Sequence, residues 1–472
     1  MTDRLCYLSA TEAITRFRAG EVSPVELVQA VIERAEEVEP TINAFAETFP
    51  AAALAAASEA EARYRQGTAR PLEGIPVAVK EEAPIAGQRN TLGSLALRDE
   101  VADETAVFVQ RILDAGGIVH ARTTTPEFSS APFTWSRLWG VTRNPWNPAF
   151  SPGGSSGGSA ASLAAGSTTL ATGSDIGGSI RIPASFCGVV GFKPPYGRVP
   201  EGPIFNLDHY CHEGPLARTV GDCRLLENVI AGPHPSDIVS LRPKLVLPEA
   251  FPPLDGARIA LSLRLGDYRV DPDVLANTRA AADRLRKAGA TVEEVELPWR
   301  REDFLRAARI HFGMIFGASI AELYATRGDE LTSYARRLYE ESEAVPKSEL
   351  VPGLALEGRL YHPLGELLED FDALVCPTFA VPALPAEWDT GDPLDVGGEA
   401  IDDWLEVMMT IPFNIFSRCP VMSVPSGRSR HGVPTGLSIV GPTYDDVAVF
   451  RVAAALEAVE PWLATPADRP AL

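Results

Sequence analysis

The sequence predicts an α/β fold in which helices cover a layered β-sheet. Short apolar segments bounded by glycine or proline alternate with stretches of helical periodicity along the chain. Of the 472 residues, 45% are hydrophobic and 22% are charged, a composition typical of a globular protein with a large core. Length alone allows more than one domain, but the sequence shows no internal repeat and no long linker. We therefore expect one domain over residues 1–472.

The first part of the chain, residues 1–70, is expected to form a helical flank to this domain. Ser9 and Ser23 are each followed three residues later by glutamate, a capping-box pattern that marks the start of a helix. Apolar residues recur at helical spacing after Ser23, and Pro40 is expected to end this second helix. Residues 51–66 are rich in alanine and predict a third helix.

Strands and helices alternate after the flank. Residues 74–80 (GIPVAVK) are a short apolar run between chain-breaking residues, which is typical of a strand buried on both faces. This strand carries Lys80 at its end. A helix is expected at residues 107–115 and a strand at residues 117–122. Further along the chain we expect a helix at residues 272–288 and strands at residues 258–263, 291–297, 371–375 and 420–424.

Charge and hydropathy exclude several classes of partner. The formal net charge is −21 at pH 7, so neither nucleic acid nor an anionic membrane is a predicted partner, because binding to phosphates needs clustered Lys and Arg. The N-terminus lacks the charged and apolar regions of a signal peptide. No apolar run is long enough to span a bilayer.

Cysteine and histidine spacing indicates neither a disulfide framework nor a metal site. The six cysteines are scattered without CxxC pairs, and we interpret them as buried thiols in a reducing cytoplasm. Of the seven histidines only His209 and His212 lie close together, without an HExxH motif or a carboxylate cluster. No metal or other cofactor is expected, and these two histidines are assigned to a loop near the substrate pocket.

Residues 144–174 contain no Asp, Glu, Lys or Arg and are crowded with glycine, serine, alanine and proline, which predicts tightly packed backbone inside the protein. Residues 151–159 read SPGGSSGGS, and residues 173–183 read GSDIGGSIRIP. Glycines beside serine let backbone N–H groups converge on one point, where they can stabilise the oxyanion of an acyl-transfer intermediate. Ser179, directly after two glycines, fits the attacking serine.

These segments resemble the amidase signature family, whose members hydrolyse amides through a triad of serine, a second serine in a cis peptide, and lysine. The matching motifs lie at residues 74–80, 151–159, 173–183, 187–193, 214–218, 376–378 and 424–441. The resemblance implies an amidase that acts on non-peptide C–N bonds, folded as one domain with a central mixed β-sheet surrounded by helices. Residues 230–370 match weakly and are expected to be a variable region that forms part of the substrate pocket.

The resemblance also implies roles for individual residues. Ser179 would be the nucleophile that forms an acyl-enzyme, Ser155 the relay and Lys80 the base. The Gly154–Ser155 peptide would be cis, and Ser129 would line the pocket that binds the acyl group. The oxyanion hole would be formed by the backbone N–H groups of Ile176, Gly177, Gly178 and Ser179.

Elementary chemistry supports the role of Lys80. A serine hydroxyl is a poor nucleophile until a base removes its proton, and Lys80 is the basic side chain that a buried strand brings to this region. Burial disfavours an ammonium ion, so we expect Lys80 to be neutral at rest and to receive the proton of Ser179 through Ser155. Alternation along the strand should turn Glu81 to the opposite face.

Two other interpretations compete with this one. Residues 153–157 (GGSSG) also satisfy GxSxG, the nucleophile elbow of α/β-hydrolases, which requires a strand directly before the serine. The proline-rich residues 144–152 cannot form a central strand, which disfavours an α/β-hydrolase esterase. A glycine-rich phosphate-binding module is disfavoured because the sequence contains neither GxxxxGK[ST] nor a strand–GxGxxG–helix unit.

The sequence specifies the substrate less closely than the chemistry. The resemblance extends to the glutamine-hydrolysing component of glutamyl-tRNA amidotransferases, but Ile176 and Ile182 stand where that component usually has threonine and glutamine, and residues 205–213 differ. Apolar residues near the nucleophile suit a hydrophobic acyl or aryl group, so a stand-alone amidase for small amides is favoured. Hydrolysis of carbamates (urethanes), hydrazides or esters would use the same intermediate and stays open, as does a homodimer.

Overall fold

The computed structural model describes residues 5–472 and confirms a single-domain α/β fold with a large central mixed sheet surrounded by helices. Within this range eleven strands form the central sheet, and two pairs of short strands lie outside it. None of the helices in residues 5–472 combines the length and apolar character that a bilayer crossing requires.

The strands are named in chain order. The central sheet contains β1 (Phe45–Thr48), β2 (Pro76–Lys80), β3 (Ile118–Thr123), β6 (Leu170–Ser174), β7 (Val190–Lys193), β8 (Glu213–Ala217), β9 (Arg258–Leu261), β10 (Thr291–Glu294), β11 (Ala373–Pro377), β14 (Val421–Arg428) and β15 (Pro434–Val440). The short pairs are β4 (Trp135–Ser136) with β5 (Gly140–Val141), and β12 (Leu394–Val396) with β13 (Glu399–Ile401).

The helices pack around this sheet. They are α1 (Ala10–Ala19), α2 (Pro24–Ile42), α3 (Pro50–Gln66), α4 (Val107–Asp114), α5 (Gly157–Ala165), α6 (Arg181–Cys187), α7 (Val220–Ile230), α8 (Pro272–Lys287), α9 (Arg301–Phe312), α10 (Ala318–Arg327), α11 (Ser333–Glu343), α12 (Leu350–Asp370), α13 (Pro412–Ile415) and α14 (Asp446–Val459). A π-helical turn, Gly313–Gly317, joins α9 to α10.

The order of strands in the sheet is β1-β3-β2-β6-β8-β7-β14-β15-β11-β9-β10. β2 runs parallel to both of its neighbours, β3 and β6, whereas β6, β8, β7, β14 and β15 pair antiparallel in turn. Lys80 and Ser174 are the last residues of β2 and β6. Because parallel strands end at the same edge of a sheet, these two residues lie side by side there.

The uncharged segment packs as tightly as its composition predicts. All nine residues of α5 are buried, and its first two glycines meet neighbouring groups directly. A Cβ added to Gly157 would lie 2.2 Å from Thr134 Oγ1, and one added to Gly158 would lie 2.4 Å from the carbonyl oxygen of Ala44. These distances are too short for any side chain, so the segment needs glycine at both positions.

The predicted flank differs from the structure in two ways. Helix α2 continues past Pro40 to Ile42 and ends where Asn43 adopts a left-handed conformation with φ 49°. Pro40 lies in the last turn, where its missing N–H removes only one hydrogen bond. The flank also contains β1, which pairs with β3, and a four-residue strand is too short to show a pattern in the sequence.

Most other predicted elements occur with shifted ends. The segments expected as strands at residues 74–80 and 117–122 are β2 and β3, and the helix expected at residues 272–288 is α8. The strand expected at residues 291–297 is shorter, because β10 ends at Glu294. The six cysteines are buried and unbonded to one another, as interpreted from their spacing.

Candidate active site

Lys80 lies at the buried end of β2, with 1% of its surface exposed. Its Nζ is 2.7 Å from Ser155 Oγ and 2.8 Å from Ser174 Oγ. Its backbone N–H donates to Thr172 Oγ1 at 3.2 Å, which ties β2 to β6. The structure therefore brings Lys80 into direct contact with Ser155, and it adds Ser174, a contact that the sequence analysis did not identify.

Ser155 is fully buried in the loop of residues 151–156. The Gly154–Ser155 peptide is cis, in agreement with the resemblance. A Cβ at Gly154 would lie 2.1 Å from the carbonyl oxygen of Phe133, so this position requires glycine. Because the serine follows a loop and not a strand, the local structure differs from the nucleophile elbow of α/β-hydrolases.

Ser179 lies in the short loop between β6 and α6 and is 7% exposed. Its carbonyl oxygen accepts a hydrogen bond from the N–H of Ser156 at 3.1 Å, which holds the two serine-containing loops together. Thr410 Oγ1 donates to the carbonyl oxygen of Gly177 at 2.5 Å. Gly178 has φ 131°, and a Cβ there would lie 2.3 Å from Thr410 Oγ1, so only glycine fits.

The predicted oxyanion donors lie in this loop. Among the hydrogen bonds between residues 5–472, none is donated by the backbone N–H groups of Ile176, Gly177, Gly178 and Ser179. Three of these residues, Ile176, Gly177 and Ser179, line a cavity. The N–H groups are thus available to bind an anionic oxygen, and their role as the oxyanion hole stays a prediction.

Asp175 and Arg181 form a fully buried ion pair beside Ser179. Arg181 donates through Nε at 2.9 Å and through Nη2 at 2.8 Å to the two carboxylate oxygens, and Asn414 Nδ2 donates to Oδ1 at 2.9 Å. Burial raises the pKa of Asp175, but the charge and hydrogen bonds of Arg181 outweigh burial and hold that pKa below its ordinary value. The pair fixes both ends of the loop that carries Ser179.

Replacing Asp175 by asparagine is expected to lower the free energy of unfolding by about 3 to 5 kcal/mol, because it leaves the Arg181 charge buried without its partner. Urea unfolding followed by circular dichroism measures the loss. Glu61→Gln is the control, since it removes an exposed pair with Arg65 and should change stability by less than about 1 kcal/mol. Equal unfolding midpoints for the two variants would contradict the structural role of the buried pair.

Glu82 contacts Lys80 and was missed by the sequence analysis. Glu81 turns away from Lys80, as strand alternation predicts, and its carboxylate accepts hydrogen bonds from Thr91 and Gly93. Glu82 lies beyond the end of β2, where alternation no longer applies, and its Oε1 is 2.8 Å from Lys80 Nζ. No periodicity argument could have placed this carboxylate in the site.

The contacts of Lys80 bear on its charge. Its Nζ meets three acceptors, the hydroxyls of Ser155 and Ser174 and the carboxylate of Glu82, which match the three N–H donors of an ammonium ion. The structure thus favours a charged Lys80 at rest, in contrast to the neutral amine expected from burial alone. Ser129 donates its hydroxyl to the same carboxylate and lines the cavity, at the position predicted to contact the acyl group.

A second buried lysine lies close to this region. Lys193 ends β7, is fully buried, and donates through Nζ to the carbonyl oxygens of Cys419 at 3.0 Å and Pro194 at 3.3 Å. Burial lowers the pKa of Lys193 to about 7. The sequence analysis treats Lys80 as the basic side chain of the site, and the structure corrects that view. Both acceptors of Lys193 are backbone carbonyls, so it is not joined to the serines.

A cavity of about 570 Å³ opens at Ser179, a size suited to a small organic molecule. Large apolar side chains form much of its lining: Ile176, Phe312, Phe316, Leu338, Val345, Trp404, Leu405 and Met408. Two of its cationic side chains are already paired, Arg309 with Asp403 and Arg337 with Asp389. The part of the cavity wall supplied by residues 309–345 comes from the region that the sequence analysis expected to be variable.

Comparison with known proteins identifies the family. The model of the Amidase family matches residues 26–450. The acylamidase of Rhodococcus erythropolis is 34% identical over 481 residues, with 98% of each chain covered. The glutamyl-tRNA(Gln) amidotransferase of Chloroflexus aggregans contains a component that is also 34% identical, over 488 residues and 97% of each chain.

Structural comparison agrees with the sequence matches. The crystal structure of a bacterial aryl acylamidase of the amidase signature family superposes with a TM-score of 0.89 at 29% identity, with 96% of each chain covered. A match over this much of the chain, in both sequence and structure, leaves no large segment outside the shared fold. The chain therefore belongs to the amidase signature family and is a hydrolase that acts on amide C–N bonds.

Proposed function

We propose that this protein is a serine amidohydrolase that cleaves small amides with an apolar acyl or aryl group through an acyl-enzyme on Ser179. The observation that carries the proposal is the 2.7 Å contact between Lys80 Nζ and Ser155 Oγ, next to the loop that carries Ser179 into an apolar cavity. All of these residues belong to one chain, so the proposed chemistry needs no partner protein.

In the proposed reaction Ser179 Oγ attacks the carbonyl carbon and forms a C–O bond. The proton of Ser179 moves to Ser155 Oγ, and the proton of Ser155 moves to Lys80 Nζ, which must be uncharged at that moment. The carbonyl oxygen becomes an oxyanion, which the N–H groups of residues 176–179 stabilise. The C–N bond then breaks, and the leaving amine takes the proton back from Lys80 through Ser155. Water attacks the acyl-enzyme by the same route and releases the acid.

The cavity lining supports an apolar acyl or aryl group. Ile176 lines the cavity beside Ser179, where a polar substrate group would lack a hydrogen-bonding side chain. Ile182, the second departure from the amidotransferase pattern, is fully buried and packs its Cδ1 under Gly178. Of the two isoleucines, Ile176 is therefore the one that bears on substrate choice.

The tRNA amidotransferase component is as similar in sequence as the acylamidase, so substrate choice needs a direct test. We expect kcat/KM for an aryl amide to exceed that for glutamine by at least about 100-fold, because the apolar wall offers no partner for the glutamine amide. A panel of aryl amides, carbamates, hydrazides and esters, read by release of the amine or alcohol, measures the ranking. The Ser179→Ala variant serves as the blank. Glutamine turnover equal to aryl amide turnover would overturn the proposal.

A further inference from the structure

We propose that Asp208, His209, His311 and Glu357 form a binding site for one divalent metal ion of the Zn²⁺ class. One donor atom from each of Asp208, His209 and His311 lies within 4.8 Å of the others. Asp208 and His311 are 103 residues apart in the sequence, yet Asp208 Oδ1 and His311 Nε2 are 2.7 Å apart in space. This separation explains why motif spacing in the sequence does not indicate the site.

Tyr210 orients three of the proposed ligands at once. Its backbone N–H donates to Asp208 Oδ1 at 2.9 Å, and its hydroxyl donates to Glu357 Oε1 at 2.9 Å. Its ring stacks on the imidazole of His311 with 3.5 Å between centroids. Metal sites are characteristically supported by such neighbouring groups, which fix the ligands before the ion binds.

The remaining oxygen of Asp208 supplies an independent indication. Asp208 is 1% exposed, and among the described residues its Oδ2 has no hydrogen-bond partner. The ion-pair partners of Asp208 and Glu357 within residues 5–472 are His311 and His209, which carry no charge when neutral. Two carboxylates beside two neutral imidazoles leave negative charge that a divalent cation would balance.

The donor set selects the class of metal. Two imidazole nitrogens with one or two carboxylate oxygens suit Zn²⁺ and chemically similar ions such as Co²⁺. Mg²⁺ and Ca²⁺ prefer oxygen ligands alone, so they should bind poorly here. Asp208 can bind through its free Oδ2 while Tyr210 still holds Oδ1, and Glu357 or water completes four-coordination.

The site is accessible and adjoins the catalytic cavity. A separate cavity of about 380 Å³ is lined by His209, Glu357 and Arg418, and it offers a path for an ion to enter. His311 directly precedes Phe312, which lines the cavity at Ser179. A bound ion would join the loop that carries Asp208 to α9 and α12, and would thereby fasten part of the substrate-cavity wall.

The test is metal binding by the full chain after treatment with a chelator. Equilibrium dialysis against ZnCl₂ with elemental analysis should give about one Zn²⁺ per chain, and Zn²⁺ should raise the thermal midpoint by roughly 3 °C. Co²⁺ should give the visible bands of four-coordinate nitrogen and oxygen ligation without a thiolate band. Mg²⁺ and Ca²⁺ should produce neither effect.

The His209→Ala and His311→Ala variants should each lose at least tenfold in Zn²⁺ affinity. His362→Ala is the matched control, because His362 forms an exposed pair with Glu366 on α12 and should bind as the wild type does. His209 is only partly buried, so its variant keeps the test decisive if His311→Ala fails to fold. Wild-type binding at background level, or unchanged binding by His209→Ala, would overturn the proposal.

Discussion

Replacing Ser179 by alanine is expected to lower kcat by about 10⁶-fold, because no other group can form the acyl-enzyme. Replacing Ser155 by alanine should have a smaller effect, a loss of about 10³- to 10⁴-fold, since water can carry the proton inefficiently in place of the hydroxyl. Steady-state hydrolysis of an aryl amide measures both losses. Intact-mass analysis after mixing with an activated ester should show an acyl adduct on the wild type and none on Ser179→Ala.

The control for these serine variants is Ser162→Ala. Ser162 lies in α5, in the same uncharged segment, and its hydroxyl donates to the carbonyl oxygen of Ser159 at 2.9 Å. This variant tests whether the loss of any buried hydroxyl in the segment reduces turnover. An acyl adduct on a side chain other than Ser179, or wild-type turnover by Ser179→Ala, would contradict the proposed nucleophile.

The sequence predicts the parts of the site that depend on local backbone geometry. Gly154 and Gly178 occupy positions where a Cβ would collide with Phe133 or Thr410, and such constraints leave a visible motif. Lys80 is predictable for a similar reason, because a buried strand between chain-breaking residues carries it to the sheet edge. The serine and glycine motifs and the end of β2 therefore specify most of the candidate site.

Residues placed by tertiary contacts leave no such pattern. Glu82 reaches Lys80 only because the chain leaves β2 at Lys80, and Lys193 is brought near by the pairing of β7 with β8 and β14. Asp208 and His311 meet through the packing of a loop against α9. Periodicity and motif spacing report on neighbours along the chain, so they cannot reveal contacts of this kind.

The contact between Lys80 and Glu82 leads to a test of the base. Lys80→Met is expected to lower kcat by about 10⁴-fold, because the apolar side chain cannot accept the proton of Ser155. Lys193→Met is the matched control: it also removes a buried lysine at the end of a strand, but one whose acceptors are backbone carbonyls. If Lys193→Met folds and loses as much activity as Lys80→Met, the assignment of Lys80 as the base is wrong.

The pH dependence of the rate tests the charge of Lys80 directly. Turnover should rise from neutral to alkaline pH, because only the uncharged amine can accept a proton and Glu82 stabilises the ammonium ion. Glu82→Gln keeps an oxygen that can accept a hydrogen bond but removes the negative charge, so Lys80 should lose its proton more readily. The rising part of the pH–rate profile should therefore move to lower pH by about 1 to 2 units. A profile that does not move, or that moves to higher pH, would show that this carboxylate does not control the base.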